Sequence, residues 1–530
     1  MSRHPINRTL AKHLATLDPS GASRRLVLKR AGALSVLAGG AAPLAMNLLA
    51  AGSAAAAGAA DYKALVCVFL YGGNDSYNMV LPTDSASWQA YSGTRTQAPD
   101  PIALLAPGTP VVANATVASP ARLGGVLPLT PSDAQGRSFA LHPLMGSLAA
   151  MFNTDQRLAI LPGVGPLIVP TTKAQLGLAS HPRPPRLGSH NDQTNTWQAL
   201  GPEGVRRGWG GRMGDALAAG NGQAIFTSIS TTGNAVWLSG DSVRQYHVGT
   251  AGATRIGVDS AGRLFGSAGA GTALSKIIGT ARGTHLFESD VADVSQRSME
   301  AELALRSALK PASDPAFGTA PASGAYSAGN DPKLQYDNPL NGNKAFNSLA
   351  QQLQMVARLV EAAQSGLVSV RRQVFFVSVG GFDTHDGQNR SQADLMARLS
   401  HALRYFDTSL GALAARSQVT AFTASDFGRT LTSNGDGTDH GWGAHHLVMG
   451  GAVRGGNLYG RFPTLGIKNT SNNNFDSSTD LLGNGSLLPT TAVDQLGATL
   501  GRWFGLSDMQ LLDVFPNLAN FSTRDLGFMN

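Results

Sequence analysis

The chain reads as an α/β fold built on a buried parallel sheet, and three observations predict it. Apolar runs at 65–70 (LVCVFL), 374–379 (VFFVSV) and 419–422 (VTAF) have strand length. They lack the polar alternation of a half-exposed strand, so both faces are expected to be covered. Each run then meets glycine or small residues and a carboxylate: Asp75, Asp383 and Asp426. The third observation is the segment 392–414, whose Leu395, Leu399, Leu403 and Phe406 recur at helical spacing. Strand, helix and strand in that order predict a parallel, right-handed βαβ unit.

From the first strand onward the elements can be taken in turn. Gly72 and Gly73 allow a sharp turn that leaves Asn74 and Asp75 at the carboxyl end of the strand, where α/β sheets place ligands. Residues 83–140 are rich in Pro, Thr, Ser, Gly and Ala and read as a long excursion with short strands. Leu144–Phe152 has helical spacing and leads to a short strand, Leu158–Leu161. After a proline-rich loop, Ser189 or Asn191 would cap a helix running to Leu200. Gly208–Ala218 opens another helix, and 224–286 shows no clear architecture. Phe287–Leu309 and Ala345–Ala363 read as long helices separated by a Pro/Ser/Gly loop. Leu447–Tyr459 suggests short strands, and Thr490–Phe504 a last helix. No internal repeat is evident. Length alone allows two to four domains. The reading adopted is one large domain, 61–530, with loop-rich insertions at about 83–140 and 224–340.

The 530 residues carry 41 Lys and Arg against 34 Asp and Glu. Seven of the basic residues but only one acid fall in 1–60, which leaves 34 against 33 in the remainder. A near-neutral body without a basic run argues against nucleic acid as a partner. The single cysteine, Cys67, lies inside an apolar run and fits a buried strand position. Residues 1–60 read as a signal peptide. Arg24 and Arg25 precede an apolar pair and Lys29, as in a twin-arginine signal, and a weakly apolar segment then ends in an alanine-rich tail suited to cleavage. The expected location is periplasmic or secreted, through the twin-arginine export machinery. No other apolar stretch reaches membrane-spanning length.

Chemistry concentrates in SDFGRTLTSNGDGTDHGWGAHH, Ser425–His446. It holds Asp426, Asp439, His440, His445 and His446. GGFDTH adds Asp383 and His385, and YGGND adds Asp75. Carboxylates and imidazoles without thiolates suit Zn²⁺ or Mn²⁺, as one ion or as two ions sharing six to eight ligands. Each residue also has a plain structural role open to it. Asp75 fits an Asx turn, Asp383 a helix cap, and Asp426 an ion pair with Arg429. His445 and His446 are adjacent, so in a strand they point opposite ways and at most one can be a ligand. Ser189, at a helix N-terminus, is the candidate nucleophile, with a plain N-cap as its alternative and Thr194 as a weaker choice. His190 fits a ligand, a general acid/base or a packed residue. Arg429 fits an anion contact or a salt bridge.

In the same residues the chain resembles the DUF1501 family of exported proteins. The matching pieces are the leader, GGNDSYN, SHNDQTNTW, GGFDTH followed by Gln388, SDFGRT, GTDHGWG, GGAVRGG, and TAVDQLGATLGRWFGL before FPNL. That family is similar in fold to the alkaline phosphatase–sulfatase superfamily. The resemblance implies a central mixed, mostly parallel sheet flanked by helices, with a two-metal hydrolase centre at the strand ends. On this chain it implies Asp75 as the first ligand, Ser189 as nucleophile and Asp383 with His385 as a later ligand pair. Asp426 and the Asp439–His440 dipeptide compete for the last pair, and His446 remains a possible ligand. Two functions are then expected: a metal-dependent hydrolase of phosphate or sulfate esters, acting on an anionic ester or glycan-type small molecule, or a non-catalytic envelope or secretion-associated binding protein.

Overall fold

In the computed structural model the described residues are 61–253, 258–259, 261–280 and 285–530. The expected signal peptide, 1–60, lies outside them.

Nine strands form the main sheet: β1 (Lys63–Leu70), β2 (Leu158–Gly165), β3 (Ser228–Ser230), β4 (Tyr246–His247), β5 (Arg372–Val379), β6 (Val419–Ser425), β7 (Ala444–Met449), β8 (Asn457–Leu458) and β9 (Thr491–Ala492). Their order is β8-β2-β7-β6-β1-β5-β3-β4, with β9 also paired to β2. β1 is central, parallel to β5 on one side and to β6 on the other. β7 alone runs against its neighbours, so the sheet is mixed and mostly parallel.

Helices cover both faces. Those that matter here are α1 (Ser85–Arg95), α2 (Gly146–Asn153), α3 (His190–Ala199), α4 (Trp209–Leu217), α5 (Leu286–Ala308), α6 (Ser348–Gln364), α7 (Gln388–Ala412) and α8 (Val493–Phe504). The pleat of β1 divides the core. Ala64, Val66, Val68 and Leu70 face α2, α6 and α7, whereas Leu65, Cys67 and Phe69 face Trp197 of α3, Trp209 of α4 and Leu496 of α8. This two-sided burial is the reason β1 reads as an unbroken apolar run. No helix among the described residues is long and apolar enough to cross a membrane.

β5, α7 and β6 form the parallel strand–helix–strand unit expected, with β1 lying between its two strands. The 83–140 excursion holds short strands, as expected, and also an eleven-residue helix, α1, capped by the Asp84 carboxylate accepting from the Ser87 amide. Its buried face carries Tyr91 and ends at Arg95.

Candidate functional site

The site lies where β1, β5 and β6 end. Beyond β1, Gly72 sits at φ +113°, and a Cβ there would lie 2.4 Å from the amide nitrogen of Asp383. Only glycine accepts both that conformation and that approach. The turn after β1 thus packs directly on the loop after β5. Asn74 then bridges to Gly428, which ties the same turn to the end of β6. Past Gly428 the chain folds into a hairpin of Arg429–Ser433 and Thr438–His440, with Arg429 opposite His440.

Three loops and the start of α3 together deliver a cluster around the Asp383 carboxylate. Its Oδ2 lies 3.4 Å from His190 Nε2. Its Oδ1 lies 3.2 Å from His440 Nε2, 3.1 Å from His385 Nε2 and 2.6 Å from the Arg429 guanidinium. The far nitrogens of the rings are held from outside. His440 Nδ1 is 2.7 Å from the Gly188 carbonyl, which can only accept, so Nδ1 carries a proton, and a neutral ring then has its lone pair on Nε2, the atom nearest Asp383. His190 Nδ1 is 2.7 Å from Asp426 Oδ2, which holds the ring from outside as the Gly188 carbonyl holds that of His440. His385 Nδ1 lies 3.4 Å from Asp439. Phe427, buried, lies against the rings of both His190 and His440, at centroid distances of 4.8 and 4.6 Å.

Charge follows from these contacts. Partial burial pushes the Asp383 carboxyl up, but the hydrogen bond and charge of Arg429 outweigh it and hold the group below its ordinary value. Burial raises Asp426, opposed in part by His190 and by the Gly72 amide. Burial lowers His440, which favours the neutral ring that a metal ligand needs. The Arg429 side chain is fully buried and donates also to the carbonyls of Gly72 and Thr438. Its guanidinium is joined to Asp383, the salt-bridge alternative expected for a carboxylate partner.

The ligand atoms of His190, Asp383 and His440 lie within 4.8 Å of one another. Two imidazole nitrogens and a carboxylate, each side chain held by a hydrogen bond from outside, are the donor types of a Zn²⁺ or Mn²⁺ site. His385 adjoins them, with Nε2 2.9 Å from His440 Nε2.

Of the residues marked in the sequence, His190, Asp383, His385, Asp426, Arg429, Asp439 and His440 therefore meet. Ser189 is the N-cap of α3, beside Gly188 and His190, and its hydroxyl donates to Asp192 Oδ2 at 2.8 Å. Asp75 and His446 are elsewhere. Asp75 is fully buried in a two-pronged ion pair with Arg95, at 2.6 and 2.9 Å. His446 is buried within β7 against Trp197, with Nδ1 3.3 Å from the Thr423 hydroxyl. Its neighbour His445 points to the opposite face, against Tyr77 and Phe462. Sequence reading missed Arg95. The available signal was Asp84 as an N-cap followed by Trp88, Tyr91 and Arg95 at helical spacing.

Fold and site together define an α/β protein with a candidate metal centre at the carboxyl ends of its central strands. Residues 268–515 match the family described as a protein of unknown function (DUF1501). The span includes Asp383, His385, Asp426, Asp439 and His440, while Asp75, Ser189 and His190 precede it. No curated protein matches the chain.

Proposed function

We propose that the protein is an exported, metal-dependent hydrolase of phosphate or sulfate esters on an alkaline phosphatase-like α/β fold. The observation that supports this reading is the convergence of His190 Nε2 and His440 Nε2 on the Asp383 carboxylate beyond the ends of the central strands. Those three residues would hold the ion, which when bound would supply positive charge to a bound ester oxygen. Arg429 keeps Asp383 ionised, and Asp426 and the Gly188 carbonyl fix the two rings. In the reaction the Ser189 oxygen forms a bond to phosphorus or sulfur while the ester P–O or S–O bond breaks. The hydroxyl proton passes to Asp192, its hydrogen-bond partner, and the departing alcohol takes a proton from solvent. Water then releases the covalent ester and returns the serine.

A second reading, a non-catalytic envelope or secretion-associated binding protein, draws on two observations. The Ser189 hydroxyl is already engaged as a helix cap, and Asp75 is paired with Arg95. Turnover decides between them. Protein loaded with Zn²⁺ or Mn²⁺ is expected to hydrolyse 4-nitrophenyl phosphate or 4-nitrophenyl sulfate, and Ser189→Ala to lose about 10³-fold or more of kcat. A folded, metal-bearing chain with no turnover of either ester would support the binding reading.

A further inference from the structure

We infer that the centre binds one divalent cation and not the two that the family resemblance implies, because the Arg95 guanidinium occupies Asp75, the carboxylate which that resemblance assigns to the metal. The inference rests on the metal-dependent reading above and sharpens it. Asp75 follows the central strand, in the position that the family resemblance gives to a metal ligand, and both of its oxygens are fully used. Oδ1 accepts from Arg95 at 2.9 Å and from the Tyr77 amide at 3.2 Å. Oδ2 accepts from Arg95 at 2.6 Å and from the Gln388 side-chain amide. A carboxylate offers about four lone-pair sites, and these four contacts fill them.

Arg95 is equally committed. Its Nε donates to the Leu431 carbonyl at 3.0 Å, Nη1 to Asp75 and to Asn78 Oδ1 at 2.7 Å, and Nη2 to Asp75 and the Thr430 carbonyl at 2.9 Å. All five N–H groups have partners, and both side chains are 0% exposed. For an ion to reach Asp75, Arg95 would have to leave. That would break every one of these bonds and strand a guanidinium among buried rings.

The test is metal content of the full chain after loading with excess Zn²⁺ or Mn²⁺ and removal of the free ion. One ion per chain is expected, and also one in Asp75→Asn. Because that variant leaves Arg95 uncompensated, the uncharged pair Asp75→Asn/Arg95→Met is measured beside it and is expected to retain one ion. Two ions in the parent, or a lost ion in either variant, would overturn the inference while leaving a metal centre in place. A chain that takes up none would instead remove the metal reading itself, and the count with it.

Discussion

Replacing Arg95 by methionine should be among the most costly single changes in the fold. The substitution keeps much of the side-chain volume but leaves the Asp75 carboxylate charged and fully buried. Removing one partner of a buried ion pair typically costs about 3–5 kcal/mol. Asn78 Oδ1 and the carbonyls of Thr430 and Leu431 also lose a donor. Those losses add on the order of 1 kcal/mol each unless water enters. A total of about 5 kcal/mol or more is therefore expected. With an unfolding entropy of about 2.1 cal/mol/K per residue, a folded body of roughly 470 residues loses about 1 °C of Tm per kcal/mol. Scanning calorimetry should thus show Arg95→Met melting about 5 °C or more below the parent. Combining it with Asp75→Asn should cost clearly less than the sum of the two single changes, since the double variant has no stranded charge. A Tm within about 1 °C of the parent, or strictly additive losses, would refute the argument that this pair is a closed ionic unit.

Other consequences concern metal affinity and pH. Asp426→Asn removes the carboxylate that holds His190 at Nδ1, so Zn²⁺ affinity in a chelator competition should fall about 10- to 100-fold; unchanged affinity would show that His190 needs no such support. Burial pushes Asp494 up to about 6. A raised folded value favours the protonated acid, so its stabilising share is complete below the unfolded value near 3.9 and is lost as pH rises through 6. Asp494→Asn should therefore raise stability by about 3 kcal/mol at pH 8, with the gain vanishing near pH 4. Burial also pushes His142, His445 and His446 down to about 3. Their neutral rings stabilise the fold fully above about pH 6.5, and that contribution is lost as pH falls from there to 3. Chemical denaturation over that range should show a steep fall in stability, shallower in His446→Gln.

The strand ends were legible in the sequence because the signals are local. Unbroken apolar runs followed by glycine or small residues and a carboxylate mark Asp383 and Asp426, and the structure brings those two loops to one place. The adjacency of His445 and His446 already placed them on opposite faces, and β7 does so. The choice between Asp426 and Asp439–His440 was not legible. The hairpin turns His440 back on Arg429, so both segments contribute, one holding a ring in place and the other supplying a ring. Asp75 deceived for a different reason. Its position after β1 is ligand-like, but its partner comes from the last residue of a helix inside a Pro/Ser/Thr/Gly-rich stretch. Composition hid that helix, and no local pattern ties Arg95 to Asp75 rather than to solvent. α5 was visible from its spacing, yet Leu286, Phe287 and Val291 of its first two turns are exposed, so periodicity reported a helix without reporting how much of it packs.

Anomalous diffraction from crystals grown with Zn²⁺ tests the centre most directly. A single strong peak is expected within bonding distance of His190 Nε2, an Asp383 oxygen and His440 Nε2, with Asp75 still joined to Arg95. A peak beside Asp75 with Arg95 displaced, or no peak among those three side chains at saturating metal, would contradict it.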